Sequence, residues 1–342
     1  MPFLSQSTLN DILRQLPHVR IGVLGDGCVD IYWEADMTKS ELSREVPHHP
    51  LPIVAERFSL GGGTNVVANL AALGVSHVRY LGVAGEDWRG GIFTGLLKKI
   101  GVSSDDLIFS SERVTPAYCK PIRCGISDVR YEDPRIDFGN HTPISSSTEE
   151  MLLEKLEQLS EACDVLLVCD QLDFGCMTRK VVDRINELGK RIPILVDSRN
   201  QGALYRNVIL KPNEVETCRI LEIDPDNAKS VDKMKEAART LCARTGKPAL
   251  VTLGERGALW CDGTECLEVD AYPVAPPIDF VGAGDSFLAG FAAAYAAKAD
   301  VPQAISFANL VSSVTIRKIG MTGTATPGEL TEALSHYLGQ PE

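Results

Sequence analysis

Residues 279–286, with the sequence DFVGAGDS, join a run of small residues directly to the apolar residues 287–291, FLAGF. Glycines let a backbone approach a ligand closely, and the first turn of a helix leaves N–H groups without intrahelical partners. These N–H groups lie at the positive end of the helix dipole and favour an anion. The segment therefore predicts an anion site at a helix start, with Asp285 beside it. The alternative is that Asp285 only caps the helix.

Short apolar runs alternate with helical patterns along the rest of the chain. Runs that are apolar at every position suit strands buried on both faces of a parallel sheet, and they lie at 21–24, 165–169, 194–196, 208–210 and 250–253. Helical periodicity predicts helices at 64–73, 88–100, 148–159, 178–188, 231–245, 285–297 and 302–319. The alternation predicts an α/β fold with a doubly wound, mostly parallel sheet.

Two segments interrupt this alternation. Residues 32–57 are rich in proline and charge, and residues 113–137 are polar and extended, with a β-type alternation in PAYCKPIRCG. We interpret both as strands that leave the main body and form a small β lid over its edge, and loops are the alternative. The predicted main domain then comprises residues 1–31, 58–112 and 138–342.

Composition excludes several classes of function. The 342 residues carry a formal net charge of −12, which disfavours binding to nucleic acid or to anionic membrane. The ten cysteines include no CxxC pair, so we expect reduced thiols and no zinc site. The first residues lack a secretory pattern, and no apolar run approaches about 20 residues, the length of a membrane span. We therefore expect a cytoplasmic protein with no membrane partner.

Polar residues follow several predicted strands. Ligands of open parallel sheets bind at the carboxyl ends of strands, where this chain has Gly25-Asp26, Asp170-Gln171, Asp197-Ser198, Asn213 and 252–254 (TLG). Asp26, Asp30, Asn65 and Asp170 could bind vicinal hydroxyls, although each aspartate could equally be a turn residue. A carboxylate beside an anion hole suits a base that deprotonates a hydroxyl while the hole holds a phosphoryl group.

A second glycine motif, GGGTN at 61–65, also leads into a predicted helix. Three successive glycines require a turn or a close approach to a ligand, and a flexible loop is the alternative. With GAGD at 282–285 it resembles, in type and order, the paired signatures of the ribokinase-like (PfkB) carbohydrate kinase family. The resemblance covers roughly residues 20 to 335. It includes 211–216 (KPNEVE), which resembles the family's Asn-x-x-Glu motif, the nucleotide-side turn at 251–257, and Asn309 with 317–324. Phe280 departs from the small residue or proline that is usual in the family.

The resemblance implies ATP-dependent phosphorylation of a sugar hydroxyl with Asp285 as the general base. The anion hole would lie in the GAGD turn at 282–285, which begins with Gly282, and the N–H groups of Ala283, Gly284 and Asp285 would stabilise the transferring phosphoryl group. Substrate contacts would comprise Asp26, Asp30, Gly62, Gly63, Asn65 and Asp170. Nucleotide contacts would comprise Asn213, Thr252, Gly254, Gly257 and Asn309. Glu216 would organise Mg²⁺ through water, and Asp279 and Val281 would lie near a monovalent cation, K⁺. Lids of this family can also pair two copies into a homodimer.

The opening segment 25–33, GDGCVDIYW, resembles that of the heptose-7-phosphate kinases, as do 46–54 and 319–330. Residues 118–140 depart from that subgroup, and we expect them to help choose the acceptor. Lid cations could bind a phosphate on the acceptor or be solvated surface charges; they are Lys120, Arg123, Arg130 and Arg135. Two other functions stay open: a kinase of nucleosides or other non-sugar molecules, and a non-catalytic sugar-binding regulator.

Overall fold

The computed structural model describes residues 4–339. Its strands are β1 (Arg20–Gly25), β2 (Gly27–Asp36), β3 (Ile53–Gly62), β4 (His77–Leu81), β5 (Val83–Gly85), β6 (Ile108–Ser110), β7 (Ala117–Cys124), β8 (Tyr131–Glu132), β9 (Ile136–Phe138), β10 (Val165–Asp170), β11 (Ile194–Ser198), β12 (Ile209–Leu210), β13 (Ala249–Thr252), β14 (Ala258–Cys261) and β15 (Cys266–Val269). Its helices are α1 (Gln6–Gln15), α2 (Gly63–Ala72), α3 (Trp88–Lys99), α4 (Ser146–Ala162), α5 (Arg179–Leu188), α6 (Glu214–Leu221), α7 (Val231–Thr245), α8 (Ala283–Ala296), α9 (Val301–Thr315) and α10 (Pro327–Leu338).

The main sheet has the strand order β15-β14-β13-β12-β11-β10-β1-β4. Its pairs from β4 to β13 are parallel, whereas β13–β14 and β14–β15 are antiparallel. The prediction of a mostly parallel sheet is confirmed. The carboxyl ends of β1, β10, β11, β12 and β13 therefore meet at one edge, where the strand-end residues of the sequence analysis lie.

Both faces of this sheet are covered by helices. In β10, Leu167 packs in the cluster formed with α1, α2, α3, α8, α9 and α10, whereas its neighbours Leu166 and Val168 pack with α4, α5, α6 and α7. Successive side chains of a strand point to opposite faces, so an all-apolar strand supplies two cores at once. This arrangement explains why the buried strands read as continuous apolar runs.

A second sheet forms the lid. Its order is β3-β2-β7-β8, and β9 also pairs with β7. The strand β2 is antiparallel to β3 along its length, from Gly27 opposite Gly62 to Ala35 opposite Ile53, and is parallel to β7. The lid strands thus extend beyond residues 32–57 and 113–137, since β2 begins at Gly27 and β3 ends at Gly62. Residues 40–52, between β2 and β3, contain no helix or strand.

The cysteines include one close pair. Cys261 and Cys266 lie opposite each other in the β14–β15 hairpin, with their Cα atoms 4.2 Å apart. The other eight are free thiols, mostly buried. None of the helices between residues 4 and 339 combines the length and apolar character needed to cross a membrane.

Candidate active site

Asp285 lies in the first turn of α8. Gly282 precedes this helix with φ +79°, a left-handed conformation that glycine adopts without strain. The Asp285 carboxylate accepts hydrogen bonds from Asn65 Nδ2 at 2.8 Å and Gln171 Nε2 at 3.3 Å. These donors belong to other elements, so the carboxylate is oriented across the site rather than toward its own helix end. Burial raises the pKa of Asp285 to about 6, and Asp197 acts in the same direction.

Of the three backbone N–H groups predicted to form the anion hole, one is already used in a hydrogen bond. The Ala283 N–H donates to the Phe280 carbonyl oxygen at 3.0 Å. Within residues 4–339, the N–H groups of Gly284 and Asp285 have no hydrogen-bond partner. An anion hole at this position would therefore consist of these two N–H groups, because that of Ala283 is already used.

The GGGTN motif brings four elements into close contact. Its first two glycines end β3 and its third begins α2, so this segment is not a flexible loop. A Cβ on Gly62 would lie 2.6 Å from the Asp26 carbonyl oxygen, and one on Gly63 would lie 2.7 Å from Cys169 Cβ. A Cβ on Gly282 would likewise lie 2.6 Å from Asn65 Nδ2. The small residues allow the start of α2 to touch β1, β10 and the start of α8.

A cavity of about 220 Å³ lies between the main domain and the lid. Asp285, Gln171 and Arg199 line it from the main domain, and Asp30, Tyr118, Lys120 and Arg135 line it from the lid. The structure thus brings the predicted base together with two predicted hydroxyl ligands, Asp30 and Asp26, and three cations.

Asp26 also borders this cavity, but its carboxylate is already satisfied. Its Oδ2 accepts from the backbone N–H groups of Gln171 at 3.1 Å and Leu172 at 2.9 Å. Its Oδ1 accepts from the Cys176 N–H at 2.8 Å and the Cys176 thiol at 3.3 Å. Burial raises the pKa of Asp26, against these hydrogen bonds, which act to lower it. Asp26 therefore holds residues 171–176 in place.

Asp30 is buried on β2 and pairs with Lys120. Lys120 Nζ lies 3.6 Å from Asp30 Oδ1 and donates to the Tyr32 hydroxyl at 3.1 Å. Burial raises the pKa of Asp30, whereas Lys120, Arg135 and Arg57 act to lower it. The Asp30 carboxylate retains capacity to accept hydrogen bonds from a ligand, because Lys120 lies beyond hydrogen-bond distance.

Asp170 does not line the cavity that contains Asp285. Its carboxylate accepts from the Ser198 hydroxyl at 2.6 Å, the Tyr205 hydroxyl at 3.0 Å and Gln201 Nε2 at 3.3 Å. Burial raises its pKa to about 6. It borders a neighbouring cavity of about 290 Å³, and Arg199 lines both cavities.

The four lid cations of the sequence analysis fall into two pairs. Arg123 and Arg130 form ion pairs with Asp133 and Glu34 and do not line the cavity. Lys120 and Arg135 do line it. Arg135 is held by a bidentate ion pair with Asp137 at 2.6 and 2.7 Å and stacks over the Tyr118 ring, 4.2 Å from its centroid.

Arg199 is the third cation that lines this cavity, besides Lys120 and Arg135, and it was not among the predicted site residues. Its side chain is exposed and, among residues 4–339, its guanidinium has no hydrogen-bond or ion-pair partner. It lies near enough to Tyr118 to influence the pKa of that phenol. It follows β11 directly, but an arginine after a strand carries no motif that would distinguish it.

The predicted nucleotide residues lie along the same sheet edge. Asn213 and Glu216 form a capping box at the start of α6: Asn213 Oδ1 accepts from the Glu216 N–H at 2.8 Å, and Glu216 Oε2 accepts from the Asn213 N–H at 2.9 Å. Thr252 pairs with Asn213 in an isolated parallel bridge. The Asn-x-x-Glu spacing thus has a structural role, and one Glu216 oxygen stays outside the capping box.

Lys211, part of the quoted motif but not selected as a site residue, lies between Glu216 and Asp285. It is buried, and its Nζ lies 3.2 Å from Asp197 Oδ2. Burial acts to lower the pKa of Lys211, but Asp197, Glu216 and Asp285 together raise it. A Cβ on Gly284 would lie 3.9 Å from this ammonium group. Lys211 therefore places a positive charge beside the start of α8.

The remaining nucleotide-side residues shape turns. Gly254 and Gly257 have φ of +59° and +92°, and a Cβ on Gly257 would lie 2.0 Å from the Val269 carbonyl oxygen. Asn309, buried in α9, donates from Nδ2 to the Asp270 carbonyl oxygen at 3.0 Å. These residues fix the loops around the end of β13.

Asp279 joins two loops. Its Oδ1 accepts from the Val281 N–H at 3.0 Å, and its Oδ2 accepts from the Gly320 N–H at 2.8 Å. This carboxylate lies in the loop that precedes the Gly282 turn, so it links that turn to the segment after α9. A role toward a monovalent cation stays a prediction.

The donor set fits a magnesium ion that keeps most of its water. Within residues 4–339, no group of three or more His, Cys, Asp or Glu side chains could hold a metal ion. Mg²⁺ in phosphoryl-transfer sites is bound by one or two carboxylates together with substrate phosphates and water. Glu216 with Asn213, beside Lys211, would hold such an ion through water.

A doubly wound sheet with helices on both faces and a β lid over its carboxyl edge defines a ribokinase-like α/β protein. The structure superposes on Arabidopsis thaliana ribokinase complexed with ribose and ATP with a TM-score of 0.69 and 20% identity, covering 92% of this chain and 98% of that chain. It superposes on Escherichia coli phosphofructokinase-2 in complex with potassium with a TM-score of 0.72 and 21% identity, covering 94% and 99% of the two chains. These likenesses confirm the fold.

Residues 49–327 match the pfkB family carbohydrate kinase profile, so the chain belongs to that family and is a carbohydrate kinase. It is 29% identical over 326 residues to the bifunctional protein HldE of Wolinella succinogenes, covering 94% of this chain and 66% of that protein. It is 30% identical over 343 residues to the bifunctional protein HldE of Syntrophotalea carbinolica, covering 98% and 66%. The chain thus spans about two thirds of the length of these relatives.

Proposed function

We propose that this kinase transfers the terminal phosphoryl group of MgATP to a hydroxyl of a sugar that already carries a phosphate. The observation that carries the proposal is the lining of one cavity, which combines Asp285 with three cations, Lys120, Arg135 and Arg199. A carboxylate suits a hydroxyl to be deprotonated, and guanidinium groups suit a phosphate. The acceptor would bind with a hydroxyl at Asp285 and its phosphate at these cations.

Asp285 would act as the general base. With a pKa of about 6, it is mostly ionised at neutral pH yet basic enough to take a proton as the acceptor oxygen attacks. Asn65 and Gln171 orient the carboxylate, and the N–H groups of Gly284 and Asp285 would stabilise charge on the transferring group.

Lys211 would contact the nucleotide phosphates from the far side of the α8 start. It is buried, charged and next to Gly284. When bound, Mg²⁺ neutralises charge on those phosphates, and Glu216 with Asn213 would hold it through water. Thr252, Gly254, Gly257 and Asn309 would form the nucleotide-side wall.

Asp30 would accept hydrogen bonds from acceptor hydroxyls, with Gly62 and Gly63 providing close approach. Heptose 7-phosphate is the candidate acceptor, because 25–33 resembles the opening of the heptose-7-phosphate kinases and the relatives at about 30% identity are named HldE. We assign Asp26 and Asp170 to positioning of the surrounding loops, since each accepts at least three hydrogen bonds from the protein.

The deciding experiment measures ADP release with MgATP against free sugars, sugar phosphates and nucleosides. We expect turnover with sugar phosphates, with kcat/KM at least about tenfold higher than for the corresponding free sugars, since each charged hydrogen bond contributes about 1.5–3 kcal/mol. Turnover with nucleosides alone would refute the sugar assignment, and equal kcat/KM for free and phosphorylated sugars would refute the phosphate-binding wall.

Two further features belong to the proposal. A homodimer would form through the lid, which exposes apolar side chains at Ile53, Val54, Ile126, Tyr131 and Ile136. Sedimentation analysis checks this, and a monomer at micromolar concentration would contradict it.

K⁺ near Asp279 and Val281 would raise activity, as a comparison of potassium and tetramethylammonium buffers would test. Dependence on ATP is consistent with a cytoplasmic location.

A further inference from the structure

Helix α2 contains a buried asparagine at a position flanked by apolar residues. Asn69 is fully buried, and its neighbours in the helix sequence include Val66, Val67, Leu70 and Ala71. Among residues 4–339, its Oδ1 has no hydrogen-bond partner. Leaving a buried acceptor unpaired is unfavourable, and an apolar side chain would avoid the cost. The amide group of Asn69 therefore needs a reason other than the stability of the helix.

Asn69 contacts Asn65, which lies one helical turn earlier. Asn69 Nδ2 donates to the Asn65 carbonyl oxygen at 2.9 Å and also approaches Asn65 Oδ1 at 3.3 Å. Asn65 Nδ2 in turn donates to Asp285 Oδ2 at 2.8 Å. Positions four residues apart on a helix lie on the same face, so Asn69 is placed behind Asn65 as seen from Asp285.

The chemistry of the chain fixes the direction of every donor. An ionised carboxylate can only accept, so Asn65 must turn its NH₂ group toward Asp285 and its Oδ1 away from it. The Asn65 Oδ1 then faces Asn69, which must present its own NH₂ group. The Asn69 Oδ1 is left pointing away without a partner, as observed.

We propose that Asn69 is a positioning residue for the phosphoryl transfer, because its NH₂ group holds Asn65 in the orientation that directs the Asn65 amide N–H at the catalytic carboxylate. The inference rests on the proposed function of Asp285 as the base. Among the described residues, the hydrogen bonds of the Asn69 side chain go only to Asn65, so it would act through that residue.

The orientation of Asn65 affects the pKa of Asp285. Burial raises the pKa of Asp285 to about 6 and Asp197 adds to the effect, while the Asn65 N–H, Lys211 and Gln171 oppose it. The buried thiols of Cys28 on β2 and Cys169 on β10 also couple to Asp285. The charged groups that line the same cavity are Asp30, Lys120, Arg135 and Arg199. If Asn65 is free to rotate, the carboxylate loses its strongest donor and its pKa rises further.

The test is Asn69→Leu, compared with wild type in ADP-release kinetics from pH 5 to 8 and in thermal unfolding. We expect kcat to fall roughly tenfold, with KM for ATP and for the sugar phosphate within about twofold of wild type. The acid limb of the kcat profile should move to higher pH. The melting temperature should change little, because the unpaired Asn69 oxygen is removed while Asn65 Oδ1 loses its donor.

Asn186→Leu is the matched control. Asn186 also donates from Nδ2 to a carbonyl oxygen, that of Leu204, and accepts from the Arg206 N–H, but it lies in α5, away from Asp285. The control should lose thermal stability and keep the wild-type kcat and acid limb. If Asn69→Leu fails to fold, the same measurements on Asn69→Ser decide.

A folded Asn69 variant with wild-type kcat and an unmoved acid limb would overturn the inference, as would a kcat loss that leaves the acid limb in place. Asp285→Asn is measured in parallel. If it is inactive while the Asn69 variants behave as wild type, only the inference fails. If Asp285→Asn turns over normally, the proposed base is wrong and the inference falls with it.

Discussion

Replacing Asp285 with asparagine removes the proposed base and keeps the shape of the side chain. The asparagine oxygen can still accept from Asn65 Nδ2, so the contact between α2 and α8 survives. The N–H groups of the α8 start and the charge of Lys211 are also unchanged. Only proton removal is lost, and general-base catalysis typically contributes 10²- to 10⁴-fold. We therefore expect kcat to fall by about 10²- to 10⁴-fold, with KM for ATP changed by less than about threefold.

The same substitution, which should lower kcat, should not lower the stability of the protein. The pKa of Asp285 rises from 3.8 to about 6 on folding. At pH 7 this shift corresponds to an unfavourable contribution of about 3 kcal/mol from burying the ionised form. Because the folded pKa is the higher one, the group's contribution to stability is greatest below pH 4 and is lost as the pH rises through 6. An asparagine side chain does not ionise and therefore avoids the cost of burying a charge, so the free energy of unfolding at pH 7 should not decrease.

The assay couples ADP release to NADH oxidation, with urea unfolding measured on the same samples. Asp164→Asn is the matched control, since Asp164 directly precedes β10 at the opposite edge of the sheet and pairs with Arg20 on the surface. It should keep wild-type kcat. Wild-type kcat/KM should also fall on the acid side with an apparent pKa near 6. The reasoning is refuted if Asp285→Asn is stable and retains kcat within about threefold of wild type.

Three further outcomes are expected. Gly282→Ala should cost at least about 1–2 kcal/mol in urea unfolding, because φ is +79° and the new Cβ would lie 2.6 Å from Asn65 Nδ2; Gly284→Ala, whose Cβ would meet no atom nearer than 3.9 Å, should cost clearly less. Arg199→Ala should raise KM for a sugar phosphate about 10- to 100-fold without raising KM for ATP; an unchanged KM would remove Arg199 from the binding wall. Asp170→Asn should weaken the fall in stability between pH 4 and 6, since the folded pKa of Asp170 is about 6; an unaltered slope in urea unfolding would contradict this.

The central strands and long helices were accessible from sequence because each one is defined by a local pattern. The apolar runs of β1, β10, β11 and β13 face cores on both sides, so no polar residue interrupts them. The edge strand β4 (His77–Leu81) escaped prediction because it includes His77 and Arg79. The helix α6 was missed because its first residues were interpreted only as a ligand motif, although Asn213 and Glu216 form a capping box there.

The sequence predicted the site correctly only at its two glycine motifs. GGGTN and GAGD predicted the regions where α2 and α8 begin, and the structure brings Asn65 and Asp285 within hydrogen-bond distance. Asp26 looked like a hydroxyl ligand because the sequence does not show that residues 171–176 wrap around its carboxylate. Gln171 and Arg199 follow different strands and carry no motif, so only the assembled sheet edge brings them to one cavity.

The charges around the cavity would orient the phosphorylated acceptor that we propose. Arg135 and Lys120 each have a carboxylate partner, in Asp137 and Asp30, so Arg199 is the cation left without an internal counterion among the described residues. The Asp285 carboxylate, which lines the same cavity, repels a phosphate and attracts a hydroxyl. A sugar phosphate would therefore bind with its phosphate toward Arg199 and a hydroxyl toward Asp285. Lys211, next to the start of α8, would provide a separate positive charge for the nucleotide, so the two phosphate-bearing ligands would meet at Asp285.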